Sequence, residues 1–200
     1  MYAIHTTPGF IVDSRPYGEA DRLITIFTRD FGLITASALG IRKEASKLRY
    51  FCQDYMFGRY SLVRGKEFWR LTSASDLDAP VVSGIADVRR DTGVDRMLAR
   101  IAQLLRRLLH GEESNPELYD VMKETATFAS AVPLSEEGLK NLESISVLRI
   151  MYLLGYVGND KMLEPYLSHT ELSAELVADA GKHRNAINLH INKALKESHL

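Results

Sequence analysis

The chain has 200 residues, with 25 Lys and Arg against 26 Asp and Glu, 46% hydrophobic and 8% aromatic side chains, which excludes a disordered tail, a collagen-like repeat and a histone-like basic protein. A chain of this length buries on the order of 70% of its unfolded surface and needs no disulfide or metal to hold a core. The single cysteine, Cys52, cannot form an intramolecular disulfide, and the longest apolar stretch, Ile150 to Val157, is too short to span a bilayer, so a cytoplasmic protein, neither secreted nor membrane-bound, is expected.

Taken in order, three runs rich in β-branched and apolar residues read as strands: Thr6 to Ser14, Leu23 to Thr28 and Leu33 to Leu39. The separators RPYGEAD and RDFG carry Pro16, Gly18, Asp30 and Gly32, so the second and third strands should pair antiparallel through a short hairpin. Two more runs, FCQDYMFGRYSLV and FWRLTSA, flank the turn Arg64-Gly65-Lys66. Five short strands without helix-length segments between most of them predict a small closed barrel over residues 1–77.

Beyond Leu77 the period changes. Residues 78–94 contain Ser, Asp, Pro and Gly breakers and read as a connector with a short helix in it. Met97, Leu98, Ile101, Leu104, Leu105, Leu108 and Leu109 then recur at helical spacing. Asn115-Pro116-Glu117 supplies an N-cap, a first-turn proline and an acid for a second helix to about Ser130. A third is expected from Glu136 to Leu154, apolar almost all round near its end and therefore central, followed by shorter helices after Asp160 and Thr170. Gly181 is expected to divide the latter from a last amphipathic segment bearing Ile187, Ile191 and Leu195. The expected class is thus α+β, with a barrel at 1–77 and a helical domain at 78–200.

No catalytic constellation emerges. Asp13, Glu19 and Asp21 are close in sequence, but they flank a turn where acids cap amides or pair with Arg15 and Arg22. His183 and His190 share a helix face two turns apart, a spacing at which they do not chelate one ion, and no Walker loop, nucleotide-binding glycine fingerprint or nucleophile elbow is present. Cys52, set among aromatics, reads as a buried small residue. Neither a metal site, a cofactor nor an enzyme activity is expected.

Charge is the informative feature. Residues 1–77 hold 11 Lys and Arg against 8 Asp and Glu, the remainder 14 against 18, and residues 41–70 carry eight of the cations against three acids. Basic and aromatic side chains interleave there, as single-strand binding surfaces require. Arg42, Lys43, Lys47 and Arg49 fall in one loop-like stretch and are the principal phosphate-binding candidates; Arg59, Arg64, Lys66 and Arg70 are further ones, with Tyr50, Tyr55, Tyr60, Phe68 and Trp69 as possible stacking residues. In the helical part Arg96, Arg100, Arg106 and Arg107 form a basic edge on which an acidic partner peptide could dock, although a solvated helix face explains each one singly.

The run GFIVDSRPYGEADRLITIFTRDFGLITASALGIRKEASKLRYF resembles the N-terminal domain of the bacterial recombination-mediator family RecO, with its RPYGEAD-like turn, TRxxG hairpin and basic loop. Arg42, Lys43, Lys47, Leu48 and Arg49 match that loop, while Leu39-Gly40 stands where the family has Lys-Gly. SNPELYDVMKETATFA, LRIMYLLGY and INKALKES resemble its later helices. The family's four-cysteine zinc module has no counterpart in GYVGNDKMLEPYL, and no zinc site carries over. The resemblance implies an oligonucleotide-binding (OB) barrel joined to a helical domain in a cytoplasmic, nucleoid-associated protein that works without nucleotide hydrolysis. It implies binding and annealing of single- and double-stranded DNA. It also implies loading of the RecA recombinase with the partner RecR, and recognition of the acidic tail of the single-strand-binding protein SSB. The competing expectation is an adaptor whose helical domain binds an acidic tail while the barrel binds little DNA. A nuclease would need clustered acids and a divalent metal.

Overall fold

The computed structural model describes residues 3–76, 92–167 and 171–197. Five strands come first: β1 (Ile4–Tyr17), β2 (Asp21–Thr28), β3 (Gly32–Ala38), β4 (Phe57–Arg64) and β5 (Trp69–Ser75), with a single turn of helix, α1 (Leu48–Phe51), between β3 and β4. They close in the order β1-β2-β3-β5-β4. The 14-residue β1 makes closure possible, because it is long enough to pair along both of its edges: Phe10 faces Phe27 of β2 and Phe57 of β4. The seam is a short parallel contact in which Ala36 and Ser37 meet Trp69 and Arg70. All other ladders are antiparallel, including the expected β2–β3 hairpin.

This is the five-stranded topology of an OB-fold. Strand alternation fills it: Ile34, Ala36 and Ala38 of β3 are buried while Leu33, Thr35 and Ser37 are only half-buried. With Ile11, Ile24, Ile26, Tyr60, Leu62, Trp69 and Leu71 they form the barrel core, which Ile41 and Cys52 close from the β3–β4 connection. Residues 51–56, expected to begin a strand, instead leave α1 and turn into β4.

The helices are α2 (Thr92–Leu108), α3 (Pro116–Ala131), α4 (Glu136–Leu153), α5 (Glu164–Leu167) and α6 (Ala174–Glu197). Asn115 caps α3 as expected, its Oδ1 accepting from the Leu118 amide at 3.0 Å, and Ser135 caps α4 through the Gly138 amide. The boundary expected at 77, and all of the 78–94 connector except its last three residues, lie outside the described residues. Residues 92–94 form the first turn of α2.

Contacts group the chain into two units, Met1–Arg90 with Ala102–Tyr119, and Asp91–Ile101 with Asp120–Leu200. In the first, residues 111–114 are fastened to the barrel. Glu112 accepts from Trp69 Nε1 at 2.9 Å and pairs with Arg64 at 2.7 Å, and Ser114 Oγ donates to the Arg29 carbonyl. Gly32, in the left-handed region, lies so close to Glu113 that a Cβ there would strike its backbone.

In the second unit α4 is the central helix, with Leu142, Ile145, Leu148, Ile150 and Met151 all fully buried. The expectation that Gly181 breaks the last helix is corrected: α6 runs through it without interruption. Glycine is there for close approach, since a Cβ would come within 2.7 Å of Asn141 Nδ2 on α4.

Candidate nucleic-acid interface

The basic stretch expected after the third strand is a loop pinned at both ends. At its start the Gly40 amide donates to Asp21 Oδ1 at 2.6 Å and the Arg42 amide to the Ala20 carbonyl at 2.9 Å, tying it to the β1–β2 hairpin. At its end the Tyr55 amide donates to the Ile11 carbonyl, and the Ile11 amide donates to the Met56 carbonyl, where β1 carries a bulge. Ile41 and Cys52 point into the core and anchor the span between. Arg42, Lys43, Lys47 and Arg49 are consequently all turned outward and exposed.

Arg42 and Arg49 line a cavity of about 350 Å³ together with Arg22, Ile41, Cys52 and Gln53. Arg22, near the start of β2, is steadied from behind: its Nη1 donates to Ser14 Oγ at 3.3 Å, and that hydroxyl donates to Asp54 Oδ1 at 2.7 Å. Among the described residues no carboxylate pairs with Arg42, Lys43, Lys47 or Arg49. The loop therefore presents cations that the protein itself leaves unneutralised, beside a concavity with a third guanidinium in its wall. Burial pushes the Cys52 thiol up to about 12, so the cavity gains no thiolate.

Arg22 and Gln53 were not among the residues expected from sequence, where Arg22 read as a partner for the turn acids. The signal was in the hairpin: β2–β3 register sets Arg22 opposite Ala38, immediately before the basic loop begins.

The remaining candidates are scattered. Arg59 lies half-buried on β4 opposite Pro8 and Ser75, Lys66 is in the β4–β5 turn, and Arg70 is exposed on β5 beside Ser37. Arg64 is engaged, pairing with Glu112 and standing 5.2 Å over the Trp69 ring. Of the aromatics, Tyr60 and Trp69 are core residues, while Tyr50 is 70% exposed; Tyr17 and Phe68 meet edge-on at 6.4 Å.

Arg96 and Arg100 fall in the second contact unit, Arg106 and Arg107 in the first. Arg100 is held in a two-pronged pair with Glu143, both bonds 2.6 Å, and Arg106 pairs with Asp13 at 3.2 Å. His183 Nδ1 is 2.9 Å from the Tyr166 hydroxyl and His190 Nε2 is 3.9 Å from Asp160. Among the described residues no three His, Cys, Asp or Glu side chains are grouped to hold a metal ion, and no helix is long and apolar enough to cross a membrane.

Residues 1–80 match the family described as Recombination protein O N terminal. The chain is similar to proteins named DNA repair protein RecO. That of Desulfitobacterium hafniense is 28% identical over 153 residues, covering 76% of this chain and 52% of the relative. That of Gloeothece citriformis is 32% identical over 124 residues, covering 62% and 42%, and that of Heliobacterium modesticaldum is 36% identical over 76 residues, covering 38% and 28%. The chain spans about half the length of the curated relatives it matches.

Proposed function

Because residues 1–80 match the RecO N-terminal family and the chain is similar to proteins named DNA repair protein RecO, we propose that it is a DNA-binding recombination mediator of that family, acting in DNA repair in the cytoplasm, at the nucleoid. The observation that carries this is the pinned loop of Arg42, Lys43, Lys47 and Arg49, cationic, exposed and without carboxylate partners among the described residues. Such a surface neutralises phosphates without reading bases. It binds single and double strands alike, and binding releases counterions. Holding two strands on one basic surface screens their repulsion and leaves base edges free, which is the physical basis for annealing. Arg59, Lys66 and Arg70 extend the phosphate track in this reading, and Tyr50 is the exposed ring beside it. Loading RecA with RecR on SSB-coated DNA, without nucleotide hydrolysis, is the reaction in which this binding would be used. An acidic SSB tail is the proposed partner of the helical arginines, and Arg100 and Arg106 would each have to exchange a carboxylate they already hold for one from it.

The experiment is fluorescence anisotropy of single-stranded DNA across a salt series, comparing the native chain with a variant carrying alanine at 42, 43, 47 and 49. Four phosphate contacts give a log–log salt slope of about −3 on single strands, and the variant is expected to lose both the slope and most of the affinity. Native binding that is weak and insensitive to salt would refute the reading. Binding without faster annealing of complementary strands would refute the annealing step alone.

A further inference from the structure

A groove that follows a nucleic-acid backbone sets its cations in a row, one after another along the strand. The cavity beside the basic loop is built differently. Arg22 from β2, Arg42 from the loop and Arg49 from α1 come from three separate segments to line one concavity of about 350 Å³, over a floor that includes Ile41 and Cys52, both almost fully buried. That volume lies at the small end of ligand pockets and is enough for a phosphate and its sugar.

The shape distinguishes two kinds of phosphate. An internal phosphodiester has two free oxygens, one negative charge and a sugar on each side, both of which must leave the cavity. A terminal phosphomonoester has three free oxygens, a charge of about −1.5 to −2 at pH 7 and a single substituent. It enters head-on and offers an acceptor edge to each of three guanidinium forks. Arg22 is already oriented by the Ser14–Asp54 chain, which lowers the cost of fixing it on the ligand. Asp21, the acid next to it, is occupied by the Gly40 amide.

Resting on the DNA-binding reading above, we propose that the Arg22–Arg42–Arg49 cavity receives the terminal phosphate of a DNA strand, so that this protein distinguishes phosphorylated strand ends from strand interiors.

The test uses the full chain and one internally labelled oligonucleotide in three forms, with a 5′-phosphate, with a 3′-phosphate, or with hydroxyls at both ends. Anisotropy at one fixed salt concentration is expected to show one phosphorylated form binding about tenfold tighter than the hydroxyl form. Arg22→Gln should erase that difference and leave binding of the hydroxyl form unchanged. Arg49→Gln, which also belongs to the phosphate-binding loop, should weaken all three forms but bring the ratio between phosphorylated and hydroxyl forms towards one, and serves if the first variant does not fold. Equal affinity for all three forms overturns the proposal. So does an equal loss on all three in Arg22→Gln, which would mean that the cavity takes internal phosphates while the DNA-binding reading stands. Displacement of the phosphorylated strand by an equimolar amount of thymidine 5′-monophosphate would identify a free-mononucleotide site and also overturn it. Absence of binding to every form would instead remove the DNA-binding reading itself.

Discussion

Arg149 shows how a charged side chain holds a helical core together. It lies on α4 with 4% exposure, and its Nε donates to the Tyr166 carbonyl at 2.9 Å while Nη1 pairs with Glu124 of α3 at 3.1 Å. Glu124 in turn accepts from the Leu172 amide at 2.6 Å. One guanidinium thus satisfies polar groups from α5 and α3, and through Glu124 the segment before α6. Burial draws the Arg149 guanidinium below its ordinary value, and the charge and hydrogen bond of Glu124 oppose that. Removing one partner of such a pair strands the others in a low dielectric. Arg149→Met, measured by urea unfolding, should therefore cost about 2–3 kcal/mol, somewhat under the figure for a fully buried pair because Glu124 is partly exposed. Glu124→Gln keeps an acceptor for Leu172 and should cost less. An Arg149→Met midpoint equal to that of the native chain would show that the network contributes no net stability.

Among elements, α6 is where local reading and packing disagree most. Glycine costs about 1 kcal/mol against alanine inside a helix, which is why Gly181 reads as a break in the sequence. In the folded chain that cost is offset by how closely α6 approaches α4. Asn141 is almost buried, and its Oδ1 accepts from Arg184 at 3.1 Å, so the amide that a new Cβ would meet cannot swing away without losing that bond. Gly181→Ala should consequently lower stability by about 1 kcal/mol, the clash outweighing the gain in propensity. In an Asn141→Ala background the same substitution should become stabilising. If Gly181→Ala stabilises the native chain directly, the close approach is softer than the geometry indicates.

On the scale of the molecule, what sequence makes legible is what repeats or caps locally. Strand alternation, turn residues and the Asn115 cap suffice to place the barrel and α3, and a biased loop stands out by charge alone. What needs the fold is long-range: the Arg22 wall of the cavity depends on hairpin register, and the fastening of Glu112 to Trp69 and Arg64 joins positions more than forty residues apart.

Charge also divides the chain, a surplus of three cations in residues 1–77 and of four acids in the rest, and the acidic part has its own pH dependence. Glu137 is held below the usual carboxylate range by its hydrogen bonds to Arg184 and then Lys140, and Asp179 is lowered by the Tyr166 hydroxyl and then Lys182. Both carboxylates take up protons more readily in the unfolded chain than in the folded one. Their contribution is complete above the unfolded carboxylate pKa, near 4, and is lost as pH falls through the lower folded values. Urea midpoints followed by circular dichroism at the helical band should therefore fall as pH is lowered from about 5 to about 3. Glu137→Gln, which cannot titrate, should start from a lower midpoint at pH 7 and decline less steeply over that interval. Parallel declines for the two proteins would mean that the Glu137 pairs with Arg184 and Lys140 add nothing to stability, as exposed ion pairs often do not, and that other carboxylates set the acid limit.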